Sequence, residues 1–190
     1  MIVRWWPVVG LTAMVLLGWA VRTGPVPIDD WFQHVGAELG SYRITFLVFS
    51  KPVVVAAALL VGIIVALRRH RRRLALAMVV CPLSAIIIVR VIKPLFGREK
   101  GGALAYPSGH TTFLVAVTSL LVLLAGMRLW ALLVAVSVVL LAGFGLSTTF
   151  HYFTDTVGGV LLGASVVGIA AIFARDGHRD GVDGPSPDLR

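Results

Sequence analysis

Residues 106–126 read YPSGHTTFLVAVTSLLVLLAG. A bilayer-spanning helix needs about 20 mostly apolar residues, with a range of about 17–25, and the run at about 110–127 reaches that range. Its first residues, however, are Pro-Ser-Gly-His. A helix start needs a cap, and the Ser108 hydroxyl can supply one. A cap has no use for His110. An ionisable group at the head of an apolar helix turns attention to what else lies at the same depth.

Working outward, further apolar runs occur at about 5–21, 47–67, 74–92, 129–147 and 156–174. The chain is 58% hydrophobic and only 14% charged, with a mean hydropathy of +0.93. A soluble domain is about 45–50% apolar with about 25% charged residues. These features predict an all-α fold, a six-transmembrane-helix bundle forming one domain over 1–174. The polar, Gly- and Asp-rich tail at 175–190 is expected to be disordered. The first segment has some features of a signal peptide, with Arg4, an apolar stretch and then Gly-Trp-Ala. Trp5 and Trp6 at its start suit a membrane interface, and it is read as an uncleaved span. Cys81 is the single cysteine, which excludes an intramolecular disulfide.

The net charge of +8 is concentrated in RRHRRR at 68–73, between two apolar segments. A short basic loop between spans marks the cytoplasmic side, and it can touch anionic lipid headgroups. No aromatic residues interleave with these arginines, which argues against nucleic acid as a partner. With the N-terminus and this loop in the cytoplasm, Arg128, Arg175, Arg179 and Arg190 also fall inside, and both termini are cytoplasmic. The segments 22–46, 93–109 and 148–155 then share the outer side. The first, containing PIDDWFQHVGAELG, is expected to carry a short interfacial helix.

Those outer segments hold Lys93, Arg98, Lys100, Ser108, Gly109, His110, His151 and Asp155. Each has an ordinary structural reading: Lys93 snorkels to the interface, Ser108 caps a helix, His110 is an interfacial polar residue, and His151 with Asp155 closes a turn. As a set they call for more, because ionisable groups at membrane depth are costly and usually functional. Cations around a helix N-terminus describe an anion site, and a phosphate monoester uses that many donors better than a carboxylate does. Asp155 can hold one ring nitrogen of His151 and leave the other as a nucleophile. His110 can protonate a leaving oxygen and then activate water. Two histidines and an aspartate could instead bind zinc, but the neighbouring cations oppose a divalent ion and no HxxxH or HExxH pattern occurs. No metal or cofactor is expected.

The pattern Lys93, Arg98, PSGH at 107–110 and His151-x-x-x-Asp155 resembles the type 2 phosphatidic acid phosphatase family of membrane lipid phosphatases, whose blocks are K-x6-RP, PSGH and SR-x5-H-x3-D. The resemblance extends over about 25–174. It implies that Lys93 binds phosphate, that Ser108 and Gly109 hold its oxygens, and that His110 is the general acid. It further implies that His151 forms a phosphohistidine oriented by Asp155, without a metal. The implied substrate class is a lipid phosphate or a polyprenyl (di)phosphate. Two positions differ. Lys100 and Gly101 stand where the family has Arg-Pro, and Phe144 and Gly145 where it has Ser-Arg. Arg98 lies two positions before Lys100. Arg90, three residues before Lys93 and on the same helical face, is expected to face the bundle interior and offer its guanidinium to the phosphate or to Asp155.

The expected function is a metal-independent membrane phosphatase. Two alternatives are a catalytically weakened relative that binds or transports a phosphorylated lipid, and a phosphotransferase. Membrane lipids are the other expected partners. A Gly-, Ala-, Val- and Arg-rich chain suggests a bacterial source, and hence the bacterial cytoplasmic membrane with the site towards the periplasm.

Overall fold

In a lipid environment every backbone N–H and C=O must be satisfied within the protein, and a helix does this inside one segment. The apolar runs accordingly form helices in the computed structural model, which describes residues 2–179. The helices are α1 (Ile2–Val21), α2 (Pro27–Leu39), the single turn α3 (Arg43–Phe46), α4 (Pro52–Arg68), α5 (Arg72–Phe96), α6 (Gly109–Leu124), α7 (Leu129–Ser147) and α8 (Phe153–Arg179). Among the described residues four helical stretches are long and apolar enough to cross a membrane: Pro27–Arg68, Arg72–Phe96, Leu129–Ser147 and Phe153–Ile172. Trp5–Val21 and Gly109–Leu124 are apolar but shorter. The fold is therefore all-helical with several apolar helices suited to a membrane.

The short helix expected within 22–46 is present as α2, opened by Pro27 at its first turn and by Asp29 and Asp30 at its positive end. Helix α8 continues to Arg179, past the expected end at 174. Of the tail expected to be disordered, 180–190 lies outside the described residues.

Close helix approach depends on small residues, as is usual where lipid supplies no hydrophobic drive between helices. Gly10 of α1 lies against Ser165 of α8, and Gly168 of α8 lies against Pro7. A Cβ at Gly159 would sit 2.7 Å from the Ser108 carbonyl oxygen, and one at Gly163 the same distance from that of Thr112. These contacts press α8 onto α6 and fix the PSGH segment against the start of α8. Met78, Ala85, Ala116, Leu120 and Leu162 fill the core between α5, α6 and α8.

The two ends of the bundle differ chemically. At one end the α4–α5 turn carries the arginines, and Arg71 Nη1 donates to the Leu124 carbonyl at the C-terminus of α6 (3.3 Å). At the other end lie the start of α6, the α7–α8 turn, α2 and a hairpin. Helix α6 has 16 residues and so separates these ends by about 24 Å, at about 1.5 Å per residue.

The hairpin follows α5. Gly97, at φ +61°, ends that helix in the left-handed conformation, its N–H donating to the Lys93 carbonyl (3.2 Å). Strand β1 (Glu99–Lys100) then pairs antiparallel with β2 (Ala103–Leu104). Gly101 and Gly102, both with positive φ, make the two-residue turn that glycine permits. Alternation along β1 leaves Glu99 exposed and turns Lys100 half inward.

Candidate active site

Ser108 caps α6, its Oγ accepting from the Thr111 N–H (3.4 Å) and hydroxyl (3.1 Å). Its own N–H donates to the Asp155 carbonyl (2.9 Å). That bond joins the PSGH segment directly to the first turn of α8. His110 then emerges from the first turn of α6, exposed, and His151 lies buried in the α7–α8 turn. Their ring centroids are 6.1 Å apart and the ring planes are inclined at 60°.

Both rings line a cavity of about 950 Å³ with Arg90, Lys93, Lys100 and Gly109. Its remaining wall includes Pro52 and Ala56 of α4, Ile86 and Val89 of α5, and Phe113 of α6. One part of the cavity is cationic and imidazole-lined, and the other is hydrocarbon.

Lys93 reaches over the cavity and donates to the Leu104 carbonyl (2.6 Å). Lys100 donates to Gln33 Oε1 and to the His151 carbonyl, each at 2.8 Å, and lies 4.8 Å from the Tyr152 ring centre. Burial pushes the Lys100 ammonium down to about 8, against the attraction of Asp155 and Asp29. Arg90 is exposed on the cavity wall. It does not pair with Asp155, one of the two roles expected of it.

Arg98 departs from its expected role. It is 1% exposed and is absent from the cavity wall. Nη1 donates to Asp155 Oδ1 (2.7 Å) and Thr154 Oγ1 (2.5 Å). Nη2 donates to Asp29 Oδ2 (2.7 Å) and to the Gly24 carbonyl (3.1 Å). The physical reason is local: two buried carboxylates lie within reach of one fork, and an unpaired buried charge is far costlier than a paired one. Ser108 also departs from expectation, since its side chain is fully buried in the cap rather than open to the cavity. Gly109 is the part of PSGH that, with His110, meets the cavity.

The Asp155 carboxylate is thus held on both sides. Oδ1 takes Arg98, and Oδ2 accepts from the Tyr152 N–H at 2.9 Å. His151 Nδ1 lies 3.8 Å from Oδ2, buried and without a hydrogen-bond partner. With Nδ1 turned to the carboxylate side, Nε2 is the nitrogen left for the cavity. An attacking nitrogen sits about 3–3.5 Å from its target, and a general acid about 2.6–3.2 Å from its oxygen. With ring centroids 6.1 Å apart, both imidazoles border the same part of the cavity and can reach one ligand. Among the described residues no three His, Cys, Asp or Glu side chains are grouped to hold a metal ion.

Three participants were not singled out from sequence. Asp29 of α2 is fully buried and accepts from the Thr154 N–H (2.9 Å) as well as from Arg98. Thr154 shares that network. Gln33, one turn along α2, donates to the Ser147 carbonyl (2.6 Å) while accepting from Lys100. The available signal was PIDD itself, an acidic first turn beside the apolar helices on the side already assigned to the site.

Comparison with models of known protein families, with curated proteins and with solved structures finds no match to this chain.

Proposed function

We propose that the protein is a membrane phosphatase acting on a lipid phosphate or polyprenyl (di)phosphate without a metal. The observation that carries the reading is the convergence of His110 and His151, 6.1 Å apart, on a cavity whose wall also holds Lys93, Lys100 and Arg90. Phosphate oxygens take the ammonium groups and the N–H groups at the start of α6. His151 Nε2 attacks phosphorus while His110 gives its proton to the leaving alkoxide or phosphate. Neutral His110 then removes a proton from water, which attacks the phosphohistidine and releases inorganic phosphate, restoring both rings. Asp155 stabilises the imidazolium form of His151.

The apolar part of the wall fits a lipid better than a soluble ester. Pro52, Ala56, Ile86 and Phe113 extend the site from the cations into hydrocarbon. In this reading the six apolar segments span the membrane, and both termini and the 68–73 loop are cytoplasmic. The site faces the periplasm of a bacterial cytoplasmic membrane. Support for that orientation comes from the charge, with the arginine-rich turn at the end of the bundle opposite the two histidines.

The test is phosphate release by the purified chain from a panel of lipid phosphates and diphosphates in the presence of chelator. His151→Ala is expected to abolish release while circular dichroism stays unchanged. Equal activity in that variant sinks the nucleophile assignment, and loss of parental activity on adding chelator sinks the metal-free mechanism. A second reading, binding or transport of a phosphorylated lipid with little turnover, is favoured by one observation: His151 Nδ1 and Asp155 stand 3.8 Å apart, beyond hydrogen-bond distance. Lipid retention by the parent without phosphate release selects it.

A further inference from the structure

The basic end of the bundle carries a second cavity that the phosphatase reading does not use. It has a volume of about 550 Å³ and is bordered by His70, Arg71, Arg72 and Arg73. Its floor is apolar, with Leu74 and Ala77 of α5, Leu120 and Leu123 of α6, and Val167, Ala170 and Ala171 of α8. An adjoining groove of about 510 Å³ runs between α6, α7 and α8, and its lining is almost wholly hydrocarbon. The two share Leu123, Val167 and Ala171 in their walls. A cationic rim therefore passes directly into an acyl-sized apolar channel.

Among the residues whose side chains are described, 5–172, none of the arginines at 68–73 forms an ion pair with a carboxylate. The Arg71 guanidinium is tied to the Leu124 carbonyl, which holds the rim against the end of α6. The turn is fixed by the Arg71 N–H donating to the Ala66 carbonyl (2.9 Å) and the His70 N–H to that of Leu67 (2.9 Å). The rim thus sets positive groups on a backbone-fixed turn around an apolar floor, with Arg71 bonded and Arg72 and Arg73 exposed.

We infer that this cavity binds one anionic phospholipid of the leaflet at the basic end of the bundle. The headgroup phosphate pairs with Arg72 and Arg73, and an acyl chain lies in the groove between α6, α7 and α8. Planar guanidinium groups suit phosphate oxygens, and basic pockets between membrane helices suit anionic headgroups. The floor argues for a lipid over free phosphate, since an inorganic anion gains nothing from Leu120, Leu123 or Val167. Along α6 the lining of this site begins at Leu120, seven residues and about 10 Å beyond Phe113 of the histidine cavity, and the inference stands whether or not that cavity is catalytic.

The experiment is native mass spectrometry of the full chain released from detergent containing phosphatidylglycerol or phosphatidylcholine. The parent is expected to retain one phosphatidylglycerol in preference to phosphatidylcholine. Arg72→Gln with Arg73→Gln is expected to weaken that retention roughly 30-fold, with phosphatidylcholine unaffected. The charge-preserving pair Arg72→Lys with Arg73→Lys is expected to keep most of it. Ala171→Phe, which fills the junction of cavity and groove, is expected to lower retention of the diacyl lipid while leaving the arginines in place. Absence of a preference in the parent, or equal phosphatidylglycerol retention in the glutamine variant, overturns the proposal. So does displacement of the lipid by equimolar inorganic phosphate or glycerol phosphate, which would assign the site to a free anion.

Discussion

Arg98 and Asp155 are joined by a 2.7 Å charge-assisted hydrogen bond sealed from solvent. The same guanidinium binds Asp29 at 2.7 Å, so one cation holds the first turn of α8 to α2. Removing one partner of a buried ion pair leaves an uncompensated charge, at a cost of roughly 3–5 kcal/mol. Arg98→Gln leaves two carboxylates facing each other and is expected to cost about that much in stability. Asp29→Asn leaves one cation facing one anion and keeps an oxygen acceptor, so a smaller loss of about 1–2 kcal/mol is expected. Thermal unfolding in one detergent tests the order. Arg98→Gln no less stable than Asp29→Asn would refute the clamp.

His110 and His151 differ in how far they are built into the fold, which separates chemistry from stability. His110 is exposed at the cavity, and its loss is expected to change stability by no more than about 0.5 kcal/mol. As general acid its removal is expected to slow phosphate release by about 10²–10⁴-fold. In single-turnover formation of the phosphohistidine, the step in which His110 gives up its proton, the loss is expected to be smaller for substrates whose leaving group is a good one, such as an aryl phosphate. A His110→Ala variant slowed equally on alkyl and aryl phosphates in that step is not missing a proton donor.

Much of this was legible in sequence, and the parts that were not share a cause. Apolar runs predict helices because length and composition suffice, and α7 spans the expected 129–147. The meeting of His110 and His151 follows from placing 93–109 and 148–155 at one end of a bundle. The partner of Arg98 is a different kind of fact. Arg98 and Asp29 are 69 positions apart, and their contact depends on how α2 folds back over the start of α8. Its place among the cations of the outer segments marks Arg98 as a phosphate ligand, while burial makes it an internal counter-ion. Ser108 was similarly ambiguous, since a hydroxyl at a helix start serves a cap and an anion equally well.

Lys100 gives the site a pH dependence. Burial lowers its pKa to about 8, against an ordinary value of about 10.4. Below about 8 the ammonium is charged and attracts phosphate, and above it the charge is lost. Affinity for inorganic phosphate as a product inhibitor is therefore expected to fall as pH rises from 7 to 9. Stability moves the other way. The folded-state pKa lies below the unfolded one, so the cost of burying the charged form is fully present below pH 8. That cost fades as pH rises towards about 10.4. Lys100→Arg keeps its charge throughout and is expected to flatten the inhibition profile between pH 7 and 9. A profile identical in parent and variant assigns the pH dependence to another group.

Gly145 stands where the resembled family carries an arginine, and restoring that residue is the obvious gain-of-function experiment. The packing predicts that it fails. A Cβ at Gly145 would lie 2.7 Å from Phe46 Cβ and 2.9 Å from the Phe46 carbonyl carbon, closer than real Cβ contacts come. Phe46 is held there by edge-to-face packing on Phe144, with ring centroids 5.0 Å apart. The 43–50 segment thus occupies the volume an arginine at 145 would use. Even Gly145→Ala has to push that backbone away, and it is expected to destabilise by about 1–3 kcal/mol. Gly145→Arg is expected to cost more and to lower phosphate release rather than raise it. Increased release by a stably folded Gly145→Arg chain would show that the 43–50 segment yields, and that this position remains open to a phosphate ligand.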